Sequence, residues 1–361
     1  MIKLLKTLLL GILVCLNLVL FSCKSEKQIF NKNTEVYKIS DNREYYRIMS
    51  YNTENLFDTF HDSLKNDKDF LPGGMYGWSM VKYKDKLNHI CKVIIGVGGW
   101  EPPELVALLE IENQRCLEDL TKNTALAKIN YGIIHEESPD VRGVDVALLY
   151  RKNKFTPLYH KAIPINFPDN SSKKTRDILY AKGITDKNDT LHIFVNHWPS
   201  RLGGEMESEP YRTYVASVLR NVVDSIFKST PKALIVIVGD FNDEPENSSV
   251  KDILKARIKY DTIKTNELYN LSFYLQGKGE GSHKFQGKWS MLDQIIVSGA
   301  FLAKVQPLYF TLDDAHVYKA SFLLEKDETN IGDKPSRTYV GFKYNGGYSD
   351  HLPVFLDIRR K

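Results

Sequence analysis

Two polar residues, Asp240 and Asn242, follow a strongly apolar segment in the second half of the chain. Residues 233–239 are all apolar or glycine, and the composition then changes abruptly to acids and amides. An apolar run of this length is typical of a strand buried on both faces. Polar groups at the end of such a strand are held by a rigid sheet, where α/β proteins gather their ligand chemistry. Asp240 and Asn242 are therefore candidates for ligand chemistry at a functional site, and a plain acidic turn is the alternative.

Polar residues also follow three other segments that we interpret as strands. They are Asn52 after residues 46–51, Glu110 after residues 104–109, and Asn196 with His197 after residues 191–195. A carboxylate that directly follows an apolar strand needs a partner or a metal ion, which favours a functional role for Glu110. Asn52 could instead cap a turn, and a single histidine at a strand end is more often structural than catalytic.

The remaining candidates lie on both sides of these segments. Asp293 falls inside an apolar strand over residues 289–297, and Asp350 and His351 introduce the last strand, residues 352–358. Arg142 precedes the strand 144–150, whose Asp145 we interpret as a structural hydrogen-bonding residue. Further predicted elements are the strand 178–184, preceded by Arg176, and helices over 79–95, 113–120 and 211–226. Acids and amides at the ends of many strands, with fewer helices, predict one α/β domain of two packed sheets with helices outside.

The N-terminus is interpreted as a targeting segment followed by a tether. Lys3 and Lys6 precede an apolar stretch, residues 8–21, that is short for a spanning helix, and the stretch ends at Ser22-Cys23. We therefore expect residues 1–23 to be a lipoprotein signal peptide, with Cys23 lipidated, residues 24–44 a tether, and residues 45–361 the folded domain. An uncleaved anchor and ordinary signal cleavage are the alternatives. This interpretation places the protein in the cell envelope, anchored to a membrane and facing the periplasm or the cell surface.

Net charge and cysteine content bear on the class of partner and on the state of the thiols. The net charge of +4 falls to about +2 without Lys3 and Lys6, which argues against a strongly basic nucleic-acid binder but not against a nuclease. Once Cys15 and Cys23 are placed in the leader, Cys91 and Cys116 remain. Both lie in helical patterns among apolar neighbours, so buried free thiols are expected, and a disulfide stays open.

Eight of these segments together resemble the endonuclease/exonuclease/phosphatase superfamily, whose fold is like that of pancreatic deoxyribonuclease and exonuclease III. They are MSYNTENLFD, LLEIEN, RGVDVALLYR, TRDILY, VNHWPSRLGG, VGDFNDEP, LDQIIVS and SDHLPVFLDI. Each segment is weak evidence alone, but all occur in the family's order across residues 46–358. Exonuclease III-like enzymes carry a tyrosine where this chain has His197, so the chain is more similar to the deoxyribonuclease-like and lipid-phosphodiesterase branches.

The resemblance implies a four-layer α/β/β/α sandwich, two packed mixed β-sheets flanked by helices, with the site at one edge of the sheets. It implies Mg²⁺ or Mn²⁺ as cofactor, and Mg²⁺ prefers oxygen ligands. The implied roles are metal binding by Asn52, Glu110 and Asp350, water activation by Asp240 with Asn242, and catalysis by His197, His351 and Asp293, with Asp293 fixing the His351 tautomer. The implied phosphate-binding residues are Arg176, Asn196 and Arg142, although Arg142 and Arg201 could be surface ion-pair residues.

Three functions are weighed. The first is a metal-dependent phosphodiesterase or endonuclease, acting as a monomer on nucleic acid, and base stacking on Trp198 would favour it. The second is a phosphatase or phosphodiesterase acting on lipid or inositol-phosphate headgroups, which suits a membrane-anchored enzyme. The third is a non-catalytic capture module, which the full set of acid and metal positions disfavours. The insertion 301–345 and the loop 57–78 are expected to flank the site, and the sequence does not say what they bind.

Overall fold

A computed structural model of the chain describes residues 45–168 and 173–361. The predicted signal peptide, the predicted lipidation site Cys23 and the predicted tether lie outside these residues. Among the residues described, no helix combines the length and the apolar character that crossing a bilayer requires.

The described residues form twenty strands, many of them short, and five α-helices. The strands are β1 Tyr45–Leu56, β2 Leu105–Ile111, β3 Tyr131–His135, β4 Asp145–Arg151, β5 Phe155–Ile163, β6 Ile178–Thr185, β7 Thr190–His197, β8 Leu234–Asp240, β9 Ala256–Arg257, β10 Leu268–Asn270, β11 His283–Phe285, β12 Lys288–Ser290, β13 Asp293–Ser298, β14 Leu308–Tyr309, β15 Ala315–Val317, β16 Leu324–Lys326, β17 Asp333–Pro335, β18 Tyr339–Val340, β19 Lys343–Tyr344 and β20 Val354–Arg360. The α-helices are α1 Met80–Gly98, α2 Gln114–Lys122, α3 Glu205–Ser229, α4 Leu271–Gly277 and α5 Gly299–Leu302.

Two seven-stranded sheets carry the fold. The first has the order β14-β20-β1-β2-β4-β3, with β15 also paired to β20, and the second has the order β5-β6-β7-β8-β13-β10-β9. The pairs β1/β2, β7/β8 and β9/β10 are parallel, whereas the other pairs in these sheets are antiparallel. Both sheets are therefore mixed, as predicted.

The strand β8 shows why the molecule has four layers. Successive side chains of a strand point to opposite faces of the sheet. Val236 and Val238 join the core shared by the two sheets and the helices α1 and α2. Ile235 and Ile237 join a second core, which α3 closes with residues such as Leu219. The long apolar run is thus explained by burial on both faces, and the predicted sandwich is confirmed.

Helix boundaries differ from the predictions chiefly in α3, which begins at Glu205 rather than at Tyr211. The sequence places Pro210 where a helix start is common, but Glu205 and Glu207 already occupy the first turn, where negative charge favours a helix. Arg212 Nη2 also donates a hydrogen bond of 2.9 Å to the Glu205 carbonyl oxygen, which ties the first two turns of this helix together.

Two further predictions concern buried cysteines and the C-terminal insertion. Cys91 and Cys116 are both buried and free, as expected. The insertion 301–345 contains short strands rather than one irregular loop. Among them, β14 and β15 extend the first sheet beside β20, and β18 and β19 form a separate hairpin.

Candidate active site

Strand register brings the predicted residues to one edge of the two sheets. In the second sheet, Asp240 at the end of β8 pairs with His197 of the parallel strand β7 and with Asp293 of the antiparallel strand β13. Gly239 allows this close approach, because its φ is 138° and a Cβ there would lie 1.9 Å from the Asn196 carbonyl oxygen. The three catalytic candidates are therefore neighbours across adjacent strands.

The first sheet delivers the predicted metal ligands to the same edge. Asn52 lies opposite Leu109 in the parallel pair β1/β2, which places Glu110 beside it. Strand β20 runs antiparallel to β1, so Asp350, which precedes β20, lies at the end of β1 that carries Asn52. The two sheets are linked there, since Asn52 Nδ2 donates a hydrogen bond of 3.2 Å to Asp240 Oδ2.

Asp240 and Asn242 form a tight turn that ends β8. The Asn242 backbone N–H donates to Asp240 Oδ1 at 2.8 Å, and its Nδ2 lies 3.4 Å from Asp240 Oδ2. Asn242 takes a φ of 50°, a conformation that asparagine tolerates. Burial raises the pKa of Asp240 to about 7, against a lowering by the His351 charge and with a further increase from Asp293. A carboxyl group with this pKa is suited to general-base catalysis near neutral pH.

His351 is held as a charged donor. Its Nδ1 lies 2.6 Å from Oδ2 of the fully buried Asp293, and its Nε2 lies 3.9 Å from Asp240 Oδ2. Burial opposes the charge, but Asp293 and Asp240 outweigh it and raise the pKa of His351 well above its ordinary value. The contact between Asp293 and His351 is the one that the resemblance implied.

His197 has the opposite character. Its Nε2 lies 3.7 Å from both Glu110 Oε1 and Asp240 Oδ2, and its buried Nδ1 has no hydrogen-bond partner among the described residues. Burial lowers the pKa of His197 well below its ordinary value, and the nearby Arg176 and Arg142 lower it further. One neutral and one charged imidazole thus lie on either side of the Asp240 carboxylate. Opposed pKa values of this kind are typical of acid–base sites.

The donor set of Asn52, Glu110 and Asp350 fits a hard divalent cation. Glu110 Oε2 accepts a hydrogen bond from the Asn55 N–H at 2.9 Å, but its Oε1 lies 3.7 Å from His197, too far for a hydrogen bond. Asn52 Oδ1 accepts one bond, of 3.0 Å from the Glu54 N–H, and keeps a second lone pair. Two carboxylates and one amide oxygen are the ligand types that Mg²⁺ and Mn²⁺ favour.

The three predicted phosphate-binding residues differ in burial and in hydrogen-bond partners. Arg176 is buried and donates to Asp140 Oδ2 at 3.1 Å and to the Trp198 carbonyl oxygen at 2.7 Å, while its Nε has no partner among the described residues. The Arg142 side chain is about half exposed, with Nε 3.7 Å from Asp140 Oδ1, so it is accessible to a ligand. Both therefore stay candidates, at the side of the site next to β7.

The geometry does not support phosphate binding by Asn196 or stacking by Trp198. Asn196 is fully buried, its Oδ1 accepts from Trp198 Nε1 at 3.1 Å, and its Nδ2 donates to the Val238 carbonyl oxygen at 3.4 Å. The Trp198 ring is buried against Phe241, with centroids 4.6 Å apart. Side-chain alternation along β7 explains why His197 lies in the site and Asn196 does not, because His197 faces the core between the sheets and Asn196 faces the opposite side.

Sequence reasoning missed a charged group around Glu54. The Arg337 guanidinium bonds Glu54 Oε1 at 3.0 Å and Asp350 Oδ2 at 2.9 Å, and the Thr338 N–H donates to Glu54 Oε2 at 2.6 Å. The buried Lys86 ammonium contacts Thr338 Oγ1, and burial lowers the pKa of Lys86 to about 8. Glu54 lies at the same strand end as Asn52, a place that the sequence marks, whereas Arg337 lies in the insertion and had no signal.

A second missed residue is His283 of β11. It forms an isolated bridge with His351, and the two rings lie 4.7 Å apart. Burial, and then the His351 charge, lower the pKa of His283 to about 4. Ligand atoms of His283, Asp350 and His351 all lie within 4.8 Å of one another, so this group is a competing place for a metal ion.

Comparisons with known proteins agree with the fold. Residues 47–360 match the model of the Endonuclease/Exonuclease/phosphatase family, whereas no curated protein matches the sequence. Similar solved structures include D. rerio TDP2 humanized by 14 mutations (15% identity, 87% of this chain and 99% of that chain, TM-score 0.53), the human Nocturnin catalytic domain (18%, 89% and 97%, 0.52) and a Bacteroides vulgatus family protein (14%, 88% and 100%, 0.53). At these identities the structures establish the fold alone. The family match covers most of the chain, which therefore belongs to the endonuclease/exonuclease/phosphatase family and is a phosphoester hydrolase.

Proposed function

We propose that the protein is a phosphodiesterase that depends on Mg²⁺ or Mn²⁺ and cleaves nucleic acid. The observation that carries the proposal is the arrangement around Asp240, where a charged His351 and a neutral His197 flank a carboxyl group of raised pKa. Hydrolysis of a phosphodiester needs a proton acceptor for the attacking water and a donor for the phosphoryl oxygens, and this arrangement supplies both.

Each residue then has a definite task. Asp240 accepts the proton of the attacking water. Asn242 fixes the direction of that carboxylate through its backbone N–H, and its own side chain is held by a hydrogen bond of 3.0 Å from Nδ2 to the Trp198 carbonyl oxygen. His351 donates from Nε2 to a non-bridging phosphoryl oxygen, and Asp293 stabilises the imidazolium. As the bond from the water oxygen to phosphorus forms, the ester bond from phosphorus to the leaving oxygen breaks, and the leaving oxygen takes a proton from solvent. Asn52, Glu110 and Asp350 would hold the cation, which would supply Lewis-acid polarisation of the phosphoryl group.

We propose nucleic acid rather than a lipid or inositol-phosphate headgroup as the substrate because of one structural neighbour. A structure of D. rerio TDP2, 15% identical to this chain, holds a single-strand DNA product in the same fold. Lipid and inositol-phosphate headgroups are the alternative substrates, since the same site chemistry would cleave them.

A substrate panel tests this function. The purified full-length chain is incubated in Mg²⁺ with single-stranded DNA, duplex DNA, RNA, sphingomyelin and inositol phosphates. We expect metal-dependent cleavage of nucleic acid that is lost in Asp240→Asn and retained in Asp313→Asn, a matched change of an exposed aspartate. If only sphingomyelin or inositol phosphate is cleaved, nucleic acid is not the substrate and the cleaved compound takes its place. Activity that is unchanged in Asp240→Asn would refute the role of Asp240.

We also propose that a monomer acts at the membrane through a lipid on Cys23. Cys23→Ser should move the protein from the membrane fraction to the soluble fraction, or block its processing, and light scattering should give the mass of one chain. An unchanged membrane fraction for Cys23→Ser would contradict the anchor.

A further inference from the structure

A second cluster of ligand-type side chains lies outside the active site, between β3 and β4. It consists of His135 at the end of β3, Asp145 at the start of β4 and Glu137 in the loop that joins them, and their ligand atoms all lie within 4.8 Å of one another. None of these side chains has a role in the proposed hydrolysis.

Two atoms in this cluster are buried without a hydrogen-bond partner among the described residues. They are His135 Nε2 and Asp145 Oδ2, and their side chains are 3% and 0% exposed. Burying such atoms unpaired is costly, so each one needs an explanation. They lie 3.4 Å apart, beyond the usual range of an N–H···O hydrogen bond. Two ligands at the ordinary zinc distances in a tetrahedral arrangement would be separated by about 3.3 Å.

The surroundings of the cluster also resemble those of a metal site. The other oxygen of Asp145, Oδ1, accepts hydrogen bonds from the Ser138 N–H at 2.9 Å and from the Ser138 hydroxyl, which fix the orientation of the carboxylate. This confirms the structural role expected for Asp145. The Glu137 side chain is 55% exposed, so an ion can enter from solvent on that side. There Glu137 Oε2 also lies 3.8 Å from Lys65 Nζ.

We propose that His135, Glu137 and Asp145 bind a Zn²⁺ ion. An imidazole with two carboxylates suits zinc, whereas the oxygen-only set of the active site suits magnesium, so the two sites would select different ions. The ion would link the ends of β3 and β4 and stabilise the loop between them. That loop carries Asp140, which holds Arg176 at 3.1 Å, so zinc would order the side of the active site that contains the arginines.

Zinc titration of the full-length chain tests the proposal. Isothermal titration calorimetry is done in saturating Mg²⁺, with wild type, His135→Gln and Glu137→Gln. Since His135 and Glu137 are direct ligands, we expect each variant to bind zinc at least about ten-fold more weakly than wild type. His160→Gln is the matched control, because its exposed ring pairs with Glu136 instead of entering the cluster.

Crystals soaked in ZnCl₂ locate the ion independently of the active-site histidines. Anomalous scattering at the zinc edge should give a peak between His135 Nε2 and Asp145 Oδ2. Wild type without that peak, or His135→Gln with unchanged zinc affinity, would show that His135 and Asp145 form a simple ion pair. Thermal unfolding by circular dichroism of the zinc-free variants confirms that they are folded. Glu137→Gln changes a largely exposed side chain, so it keeps the test informative if His135→Gln is unstable.

Discussion

The contact between Asp293 and His351 gives the sharpest quantitative prediction. Asp293→Asn keeps the size of the side chain but removes the negative charge that lies 2.6 Å from His351 Nδ1. The raised pKa of His351 depends on that charge and on Asp240. The substitution should therefore lower the pKa of His351 and reduce the fraction of the enzyme that can donate a proton to the phosphoryl group.

The size of the effect follows from the strength of a buried, charge-assisted hydrogen bond. Such a bond contributes about 1.5–3 kcal/mol, which corresponds to roughly one to two pKa units, or about 10- to 150-fold in rate. An asparagine can also hold the imidazole in the wrong tautomer, and the comparable change in Ser-His-Asp enzymes costs about 10⁴-fold in kcat. We therefore expect kcat of Asp293→Asn to fall by roughly 10- to 10⁴-fold.

A double-mutant cycle on the substrate found in the panel makes the prediction decisive. Residues that act as a unit are non-additive, so His351→Ala should lose about as much activity as the double variant. Asp224→Asn, a change of an exposed aspartate on α3, is the control for charge loss, and circular dichroism checks folding. Independent, multiplying losses for Asp293 and His351, or a loss below about ten-fold for Asp293→Asn, would refute their partnership.

Three further predictions concern the metal, pH and thiols. Glu110→Gln should weaken Mg²⁺ binding in calorimetry and reduce turnover with the fold retained, and unchanged affinity would make Glu110 structural. Because burial raises the pKa of Asp240 to about 7, the metal-free folded state keeps this proton between about pH 4 and 7 while the unfolded chain loses it. The free energy of unfolding should therefore fall as pH rises through this window, and urea denaturation should show a smaller fall for Asp240→Asn. Cys91 and Cys116 are buried, so brief alkylation followed by mass spectrometry should modify them only after unfolding.

The strands and their ends could be predicted because burial leaves a strong pattern in the sequence. The run 233–239 is apolar throughout because its side chains enter two different cores, and the polar residue that follows it, Asp240, marks the edge of the sheet. Parallel pairing of β1 with β2 and of β7 with β8 then brings the other strand ends to the same edge. Side-chain alternation could also have separated His197 from Asn196, since neighbouring residues of a strand face opposite sides.

The contribution of the insertion could not be predicted from local patterns. Arg337 reaches Glu54 across 283 residues of sequence, and its position depends on how the short strands of the insertion pack against the rest of the domain. Neither periodicity nor turn chemistry encodes such a contact. His283 was missed for a similar reason, because its place beside His351 arises from an isolated bridge between β11 and the segment before β20.

The position of a bound metal ion tests the central claim most directly. Crystals of the full-length chain soaked in MnCl₂ would locate the ion by its anomalous signal, since Mn²⁺ shares the oxygen preference of Mg²⁺. We predict one ion at the active site, bound by Glu110 with Asn52 and Asp350, and no ion there in Glu110→Gln crystals. An ion held instead by His283, Asp350 and His351, with Glu110 unbound, would contradict the site as described.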